Sequence, residues 1–232
     1  MAIWLWSKIL TEEKLNCTEI KLPNFAVMRN VFLLLLCCIS FSCMAKKTVR
    51  TYADSIAQHR EKYKNEFLTD AHSPLKATDT GNLRFFAPDA RYRVTATFKL
   101  TPDAPVFDMT THSGKLKKYR RYGIISFRIH DTVQTLEVYQ GIDLMKQPEL
   151  KDYLFIPFTD LTNYETTYGG GRYLDLRTGD IKHNTVVIDF NKCYNPYCAY
   201  AGGYSCPIPP DANKLKVTIP AGEMQYAGVV KE

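Results

Sequence analysis

The stretch RYRVTATFKL, residues 91–100, carries the pattern that decides the fold. Polar and apolar side chains alternate along it, and successive side chains of a β-strand point to opposite faces of a sheet. A period of two therefore predicts a strand with one face buried and the other in solvent. Because such a strand needs partners to bury its apolar face, the flanking sequence should contain further strands.

Similar short runs follow at close intervals, with turn residues between them. They span residues 106–110, 119–130, 133–139, 153–158, 172–176, 185–190 and 214–219. Strands at this spacing are typical of an antiparallel β-sandwich or a small barrel. The sequence contains no internal repeat, linker or low-complexity segment, so residues 48–232 are predicted to form one mainly β domain of the α+β type.

One helix is predicted in front of the strands. Residues 52–68 place large side chains at steps of three and four, with charges between them: Tyr52, Ile56, His59, Tyr63 and Phe67. This spacing puts them on one face of an amphipathic helix, and Thr51 or Asp54 can cap its start. We expect this N-terminal helix to pack on the sheet.

An unbroken apolar run, VFLLLLCCISF, occupies residues 31–41. Arg29 precedes it and small residues follow, which is the pattern of a secretory signal. The run is shorter than the roughly 20 apolar residues of a membrane-spanning helix. Residues 28–43 are therefore predicted to be a signal peptide with its start at Met28, and residues 1–27 to be a mis-assigned extension that forms no domain.

Cys43 ends the string ISFSC, residues 39–43, which resembles the lipobox of bacterial lipoproteins. Those proteins are cleaved just before a cysteine that then takes lipid on its sulfur and amino group. Ser42 is suitably small, whereas Ser40 and Phe41 depart from the usual pattern. We favour lipidation of Cys43, with cleavage near Ala45 or an uncleaved anchor as alternatives. The expected partner is a membrane, and the expected location is the bacterial periplasm or the outer membrane, as a lipoprotein.

The formal net charge of +6 is spread along the chain. The densest basic stretch, residues 115–121, is typical of a solvated loop or strand edge. Nucleic-acid binding requires a continuous basic face and usually a recognisable module. Neither is present in the sequence, so no nucleic-acid partner is expected.

Three cysteines, Cys193, Cys198 and Cys206, follow the predicted cleavage site. An odd number leaves at least one thiol unpaired within the chain, and an oxidising compartment permits one bridge. Cys198 and Cys206 flank a segment with Gly202 and Gly203, which predicts a turn that brings the two sulfurs together. Unbridged thiols are one alternative. A zinc site is another, but it would need a fourth ligand and no second pair of ligands stands nearby.

Four further stretches carry a family resemblance. They read FTDLT (158–162), TYGGGRYLDL (167–176), IDFNKCYNPYCAY (188–200) and YSCPIPPDANKL (204–215), followed by AGE at 221–223. In order and spacing they resemble the bacterial and archaeal family catalogued as domain of unknown function 1684, over roughly residues 53–223. The resemblance implies a β-rich domain with these boundaries and implies no reaction. The family typically has a small residue at position 193, so the Cys193 thiol looks incidental.

The candidate ligand-binding residues lie in or beside these stretches: Asp160, Tyr168, Arg172, Asp175, Asp189, Asn191, Asn195 and Glu223. Arg172 can clamp an anionic ligand or form a buried ion pair with Asp160, Asp175 or Asp189. The tyrosines of residues 194–204 can pack a long loop or form a wall for a ring or sugar-like ligand. Gly169–Gly171 lacks the Lys-Ser/Thr ending of a phosphate-binding loop, which favours a tight turn.

Two functions remain in view. The first is an exported, lipid-anchored envelope protein whose β-rich domain binds a small ligand or another envelope component. The second is a hydrolase that uses Asp160, Asp189 or Glu223, with Arg172 orienting an anionic or sugar-like substrate. None of the five histidines lies inside the four stretches, and no catalytic residue, metal or cofactor is assigned.

The cysteine pattern gives a first prediction. Non-reducing alkylation and mass spectrometry of the mature protein should find Cys198 joined to Cys206 and only Cys193 labelled. The Cα atoms of a bridged pair lie about 4.4–6.8 Å apart, and so short a loop contributes roughly 2–3 kcal/mol. Labelling of all three thiols, or a Cys193–Cys198 link, would contradict the assignment.

Overall fold

The computed structural model describes residues 50–232, which form one compact unit. The predicted extension, the signal peptide and Cys43 lie outside the described residues. Within residues 50–232, no helix is long and apolar enough to cross a membrane.

Helix α1 spans Tyr52–Thr69, close to the predicted range. A capping box starts it: the Asp54 amide donates to Thr51 Oγ1 at 3.1 Å, and the Thr51 amide donates to Asp54 Oδ2 at 2.9 Å. These bonds satisfy amides that have no partner inside the helix. The two predicted caps therefore act together. Ile56 and Phe67, two members of the predicted apolar face, are buried.

Seven strands form one antiparallel sheet, ordered β6-β5-β4-β3-β1-β7, with β2 pairing with β3 beside β1. Their bounds are β1 Arg93–Leu100, β2 Val106–Thr110, β3 Leu116–Ile129, β4 Thr132–Gly141, β5 Tyr153–Phe158, β6 Arg172–Arg177 and β7 Thr185–Asp189. The alternating stretch that opened the sequence analysis is thus a central strand between β3 and β7.

The sheet curls into a half-barrel, so residues 50–232 are mainly β, with a single curled sheet and one α-helix. A β-bulge between Arg121 and Gly123 helps the curl, because a bulge bends its strand and increases the local twist. Gly123 is required there, since a Cβ atom at this position would lie 2.7 Å from the Lys99 carbonyl oxygen.

The predicted strand at 214–219 is wrong. Residues 214–219 form no strand; Lys214 makes one isolated bridge with Thr159, and the segment otherwise runs as irregular chain. Its apolar side chains are nevertheless used, because Leu215 and Ile219 are fully buried in the main core. The alternation reflected burial against the sheet, and the backbone hydrogen bonds that the segment makes with Thr159 and Leu161 do not extend into a strand.

The two faces of the sheet bury different side chains. One face carries an aliphatic core that includes Ile125, Leu136, Leu154, Ile156 and Ile188. The other face carries an aromatic cluster in which Met109 packs with Tyr119, Tyr139, Phe155 and Tyr173. On β5 and β6 the two clusters take alternate positions: Tyr153, Phe155 and Tyr173 belong to the aromatic cluster, and the aliphatic core takes Leu154, Ile156 and Leu174.

The aliphatic core yields a stability prediction. Ile156→Ala should lower the free energy of unfolding by about 2–5 kcal/mol, because Ile156 is 0% exposed and the substitution leaves a cavity. Chemical denaturation measures the change. Val133→Ala is the control: Val133 is 56% exposed, and its loss should change the free energy of unfolding by less than about 0.5 kcal/mol. Equal effects would contradict the assignment of the core.

Candidate functional site

Arg172 and Asp160 form a fully buried ion pair. Arg172 opens β6, and its Nη2 donates to Asp160 Oδ2 at 2.7 Å with both side chains at 0% exposure. Gly171, directly before Arg172, has φ +89°, a conformation that favours glycine. The structure thus contains the ion pair that the sequence left as one of two roles for Arg172, with Asp160 as the partner.

Backbone groups supply the other hydrogen-bond partners of this ion pair. The two terminal nitrogens of Arg172 also donate to three carbonyls: Ile219 at 2.9 Å, Ala221 at 2.5 Å and Glu223 at 3.2 Å. Asp160 Oδ1 accepts from the Thr162 amide and hydroxyl and from the Ile219 amide. The pair therefore fastens residues 219–223 and the turn after β5 to the start of β6.

Glu223 lies next to this buried ion pair and is also 0% exposed. Its carboxylate accepts from Tyr63 Oη at 2.9 Å, from Tyr200 Oη at 2.6 Å and from the Asn195 amide at 2.9 Å. Burial raises the pKa of Glu223 to about 7, and the three hydrogen bonds act in the opposite direction. Through Glu223, helix α1 is tied to the loop that follows β7.

Asp189 and Asn191 organise the end of β7. Asp189 Oδ1 accepts from Tyr52 Oη at 2.8 Å and from the Asn191 amide at 3.1 Å. Asn191 in turn exchanges two hydrogen bonds of 2.8 Å with the backbone of Asp89. Asp189 thus caps a short 3₁₀ turn and accepts a hydrogen bond from the first residue of α1.

Asp175 differs from the other candidate carboxylates because it is exposed to solvent. Asp175 Oδ1 accepts from Tyr153 Oη at 2.7 Å and from Tyr194 Oη at 2.8 Å. Burial of the carboxyl raises the pKa of Asp175, and the two phenol hydroxyls oppose the rise. A solvent-accessible carboxylate held by two fixed donors is suited to accept a hydrogen bond from a ligand.

A cleft of about 470 Å³ opens beside Asp175. We call it the tyrosine cleft, since five tyrosines line it together with Asp175: Tyr153, Tyr173, Tyr194, Tyr197 and Tyr204. Lys117, Glu66 of α1 and Asn195 also contribute to the wall. Its volume lies in the roughly 300–1,000 Å³ range of small-molecule sites.

A second cleft, of about 380 Å³, lies where the half-barrel fails to close. It is lined by Leu174, Asp175 and Leu176 of β6 and by Val187, Ile188 and Asp189 of β7. These are the two outer strands of the sheet, so the curl brings its two edges to one cleft. Arg93, Asp180 and Lys192 complete this seam cleft with His59 of α1. Asp175 and Tyr194 belong to both clefts.

Cys198 and Cys206 form a disulfide with a Cα–Cα distance of 6.2 Å, and Cys193 is a free, buried thiol. Burial raises the pKa of the Cys193 thiol to about 11, which keeps it protonated at neutral pH. Cys206 lies in the wall of the tyrosine cleft. The bridge therefore stiffens the loop that supplies Tyr197 and Tyr204.

The structure separates the candidate residues into groups. Asp160 and Arg172 form one buried ion pair, and Glu223 belongs to a separate buried hydrogen-bond network. Tyr168 lines neither cleft, and its hydroxyl donates only to the Cys198 carbonyl, at 3.5 Å. Asp175 lines both clefts, Asn195 the tyrosine cleft and Asp189 the seam cleft. Within residues 50–232, no group of three His, Cys, Asp or Glu side chains is arranged to hold a metal ion.

Several lining residues were not predicted: Tyr153, Tyr173, Arg93, Lys192 and His59. Tyr153 and Tyr173 lie on the same face of the adjacent strands β5 and β6. The alternation of side chains along each strand could be predicted from the sequence. The pairing of β5 with β6, which brings Tyr153 beside Asp175, could not be predicted from the sequence.

The family model described as protein of unknown function (DUF1684) matches residues 79–224. A solution NMR structure of an uncharacterized protein from Haloarcula marismortui is similar in fold, with a TM-score of 0.58 and 29% sequence identity. That match covers 73% of this chain and 92% of the other. No curated protein matches the chain. The strand residues of both clefts lie inside the family match, whereas His59 and Glu66 precede it.

Glu223 gives a prediction about pH. Folded Glu223 keeps its proton up to about pH 7, whereas an ordinary glutamate releases it near 4.5. Between these values the folded state binds more protons, so the free energy of unfolding should fall as pH rises, by about 3 kcal/mol in total. Glu223→Gln should remove this component. Denaturation from pH 4.5 to 8 measures both slopes, and parallel slopes for the two proteins would contradict the prediction.

Proposed function

We propose a ligand-binding function for this chain, which belongs to the family described as protein of unknown function (DUF1684). The ligand is a small molecule with a sugar-like ring and hydroxyl groups, and the tyrosine cleft is its site. The single observation that supports this most is the presence of five tyrosine rings in a cleft of about 470 Å³, two of which hold the solvent-accessible carboxylate of Asp175 by hydrogen bonds.

The chemistry of tyrosine suits such a ligand. A phenol ring offers a flat apolar face at little cost in conformational entropy, and its hydroxyl supplies a hydrogen bond at the rim. In the cleft, Tyr173 Oη is committed to the Pro207 carbonyl at 2.5 Å and Tyr197 Oη to Asp70 at 2.6 Å. These bonds fix the ring orientations before any ligand arrives, which reduces the entropy lost on binding.

Asp175 would fix the orientation of a ligand in the tyrosine cleft. Both tyrosine hydroxyls donate to Oδ1, and no donor among residues 50–232 reaches Oδ2. A ligand hydroxyl can therefore donate to Oδ2 without displacing a protein partner. A hydrogen bond to a charged group is typically stronger than one between neutral groups.

Binding agrees better with the geometry than hydrolysis does. Arg172 and Asp160 use their charges on each other, and both are fully buried. Glu223 is enclosed by two tyrosines and a backbone amide. A hydrolase that depends on these groups would need them to face its substrate, so binding is the function we propose.

We further propose that helix α1 packs on the open half-barrel and helps to shape the site. Tyr63 of α1 reaches Glu223, Tyr52 reaches Asp189, and Glu66 contributes to the cleft wall. In this arrangement α1 takes the place of a strand that would otherwise close the barrel.

Export and anchoring complete the proposal. The apolar run at residues 31–41 and the ISFSC string support a secreted lipoprotein with lipid on Cys43. The disulfide between Cys198 and Cys206 fits an oxidising compartment. The binding domain would then face the periplasm from a membrane tether.

A ligand screen tests the binding function. Differential scanning of the mature protein against glucose, N-acetylglucosamine, cellobiose and chitobiose should show a raised melting temperature with at least one of them. A ligand at 100 times its Kd stabilises by about 2.7 kcal/mol. Asp175→Asn should weaken that binding about tenfold or more, because an acceptor at Oδ2 is lost. Asp103→Asn, an exposed aspartate outside both clefts, is the matched control. A screen without any shift, or equal affinities for the two variants, would refute the assignment.

Lipidation has its own test. Expressed in a bacterial host fed an alkyne-labelled fatty acid, the protein should carry the label and fractionate with membranes. Cys43→Ala should lose both properties, since the lipid is attached at that sulfur. Cys37→Ala, in the same apolar run, should keep them. Label retained by Cys43→Ala would exclude Cys43 as the lipidated residue.

A further inference from the structure

We propose that the seam cleft is a second site, which binds the extended backbone of a short peptide with a free amino group and a free carboxylate. The peptide lies between β6 and β7 and adds its backbone to the two edges. This goes beyond the proposed function, because the tyrosine cleft takes its ligand through ring faces, whereas the seam cleft takes it through strand backbone; Asp175 lines both.

The edges of β6 and β7 are open to such a ligand. On β6, the Tyr173 amide and carbonyl bond to Tyr194 at 2.9 and 3.1 Å, away from β5. Backbone groups two residues apart in a strand point to the same side, so those of Asp175 also face outward from the sheet. No hydrogen bond from the Asp175 backbone to any of residues 50–232 is present on that side.

The edge of β7 follows the same rule. The Thr185 amide and carbonyl both bond to Lys182 at 2.8 Å, on the side away from β1. Two residues further on, Val187 therefore turns its amide and carbonyl to the same outer side. Asp175 and Val187 both line the seam cleft. The cleft thus presents unpaired donors and acceptors of two strands, which is what an added strand uses.

The charges of the cleft are divided between its walls. Asp175 of β6 and Asp180 of the following turn give one wall negative charge. Arg93 of β1 and Lys192, just after β7, give the opposite wall positive charge. None of these four forms an ion pair with the residues that the structure describes.

Three other titratable groups face the same space, and one of them, Tyr194, donates its hydroxyl hydrogen to Asp175. Asp189 is on the basic wall, but its Oδ1 is already held by Tyr52 and Asn191. His59 of α1 has its pKa lowered, chiefly by burial, so it is neutral at physiological pH. A purely anionic or purely cationic ligand would meet like charge on one wall. A zwitterion satisfies both.

The size and floor of the cleft limit the peptide. About 380 Å³ is near the lower end of ligand sites, which suits two or three residues. Leu174, Leu176 and Ile188 contribute an apolar floor for small side chains. We therefore place the amino group at Asp175 and Asp180 and the carboxylate at Arg93 and Lys192.

Titration calorimetry with trialanine tests the site in the mature protein. Trialanine should bind, and N-acetyl-trialanine and trialanine amide should each bind at least tenfold more weakly. Arg93→Gln should abolish the preference for the free carboxylate and leave the preference for the free amine. Asp180→Asn should do the reverse. Arg84→Gln and Asp103→Asn, both exposed and outside the cleft, should behave like the unmodified protein.

Amide hydrogen exchange gives a second readout that does not depend on the variants. Trialanine should slow exchange at Asp175 and Val187, because their amides gain partners. Absence of binding at millimolar trialanine, equal binding of the capped peptides, or unchanged exchange at both amides would overturn the proposal. Asp175 lines both clefts, so the variant that separates the two sites is Arg93→Gln: Arg93 lies outside the tyrosine cleft, and its substitution should leave sugar binding unchanged.

Discussion

The buried ion pair of Arg172 and Asp160 is the constraint on which the rest of the structure depends. Removing one partner of such a pair leaves an uncompensated charge and typically costs about 3–5 kcal/mol. The pair fixes the chain at residues 219–223 through three carbonyls. That segment carries Glu223, which then holds Tyr63 of α1 and the Asn195 amide. The loop that walls the tyrosine cleft is therefore positioned from the start of β6.

The unclosed barrel explains why clefts exist in so small a domain. A closed barrel of similar size fills its interior with side chains and has no free edges. Here β6 and β7 end the sheet on opposite sides, and the curl brings them to the same cleft. Free edges are a liability for aggregation unless they are covered or charged. Asp175, Asp180, Arg93 and Lys192 supply that charge, and the peptide site that we propose uses the same four residues.

Tyrosine–carboxylate hydrogen bonds recur wherever the sheet meets the loops. Tyr52 bonds Asp189, Tyr63 and Tyr200 bond Glu223, and Tyr153 and Tyr194 bond Asp175. Each bond lets a large ring be buried while its hydroxyl finds a partner and a carboxylate is satisfied without a cation. This use accounts for many of the 15 tyrosines in the chain. Of the two roles that the sequence left open to the tyrosines, Tyr200 has the packing role because it is fully buried, whereas Tyr204 lines the cleft for which binding is proposed.

The sequence by itself determined the features that depend on near neighbours: the strands with a period of two, the helix with its Thr51–Asp54 cap, and the Cys198–Cys206 loop. Only the tertiary structure decided that Arg172 pairs with Asp160, that residues 214–219 bury Leu215 and Ile219 without forming a strand, and that Asp175 alone among the four candidate carboxylates is exposed. Local periodicity reports which face of a segment is apolar. Local periodicity does not show which strands pair or which sheet edges approach each other, because strand register and the curl of the sheet are set by contacts between residues distant in sequence.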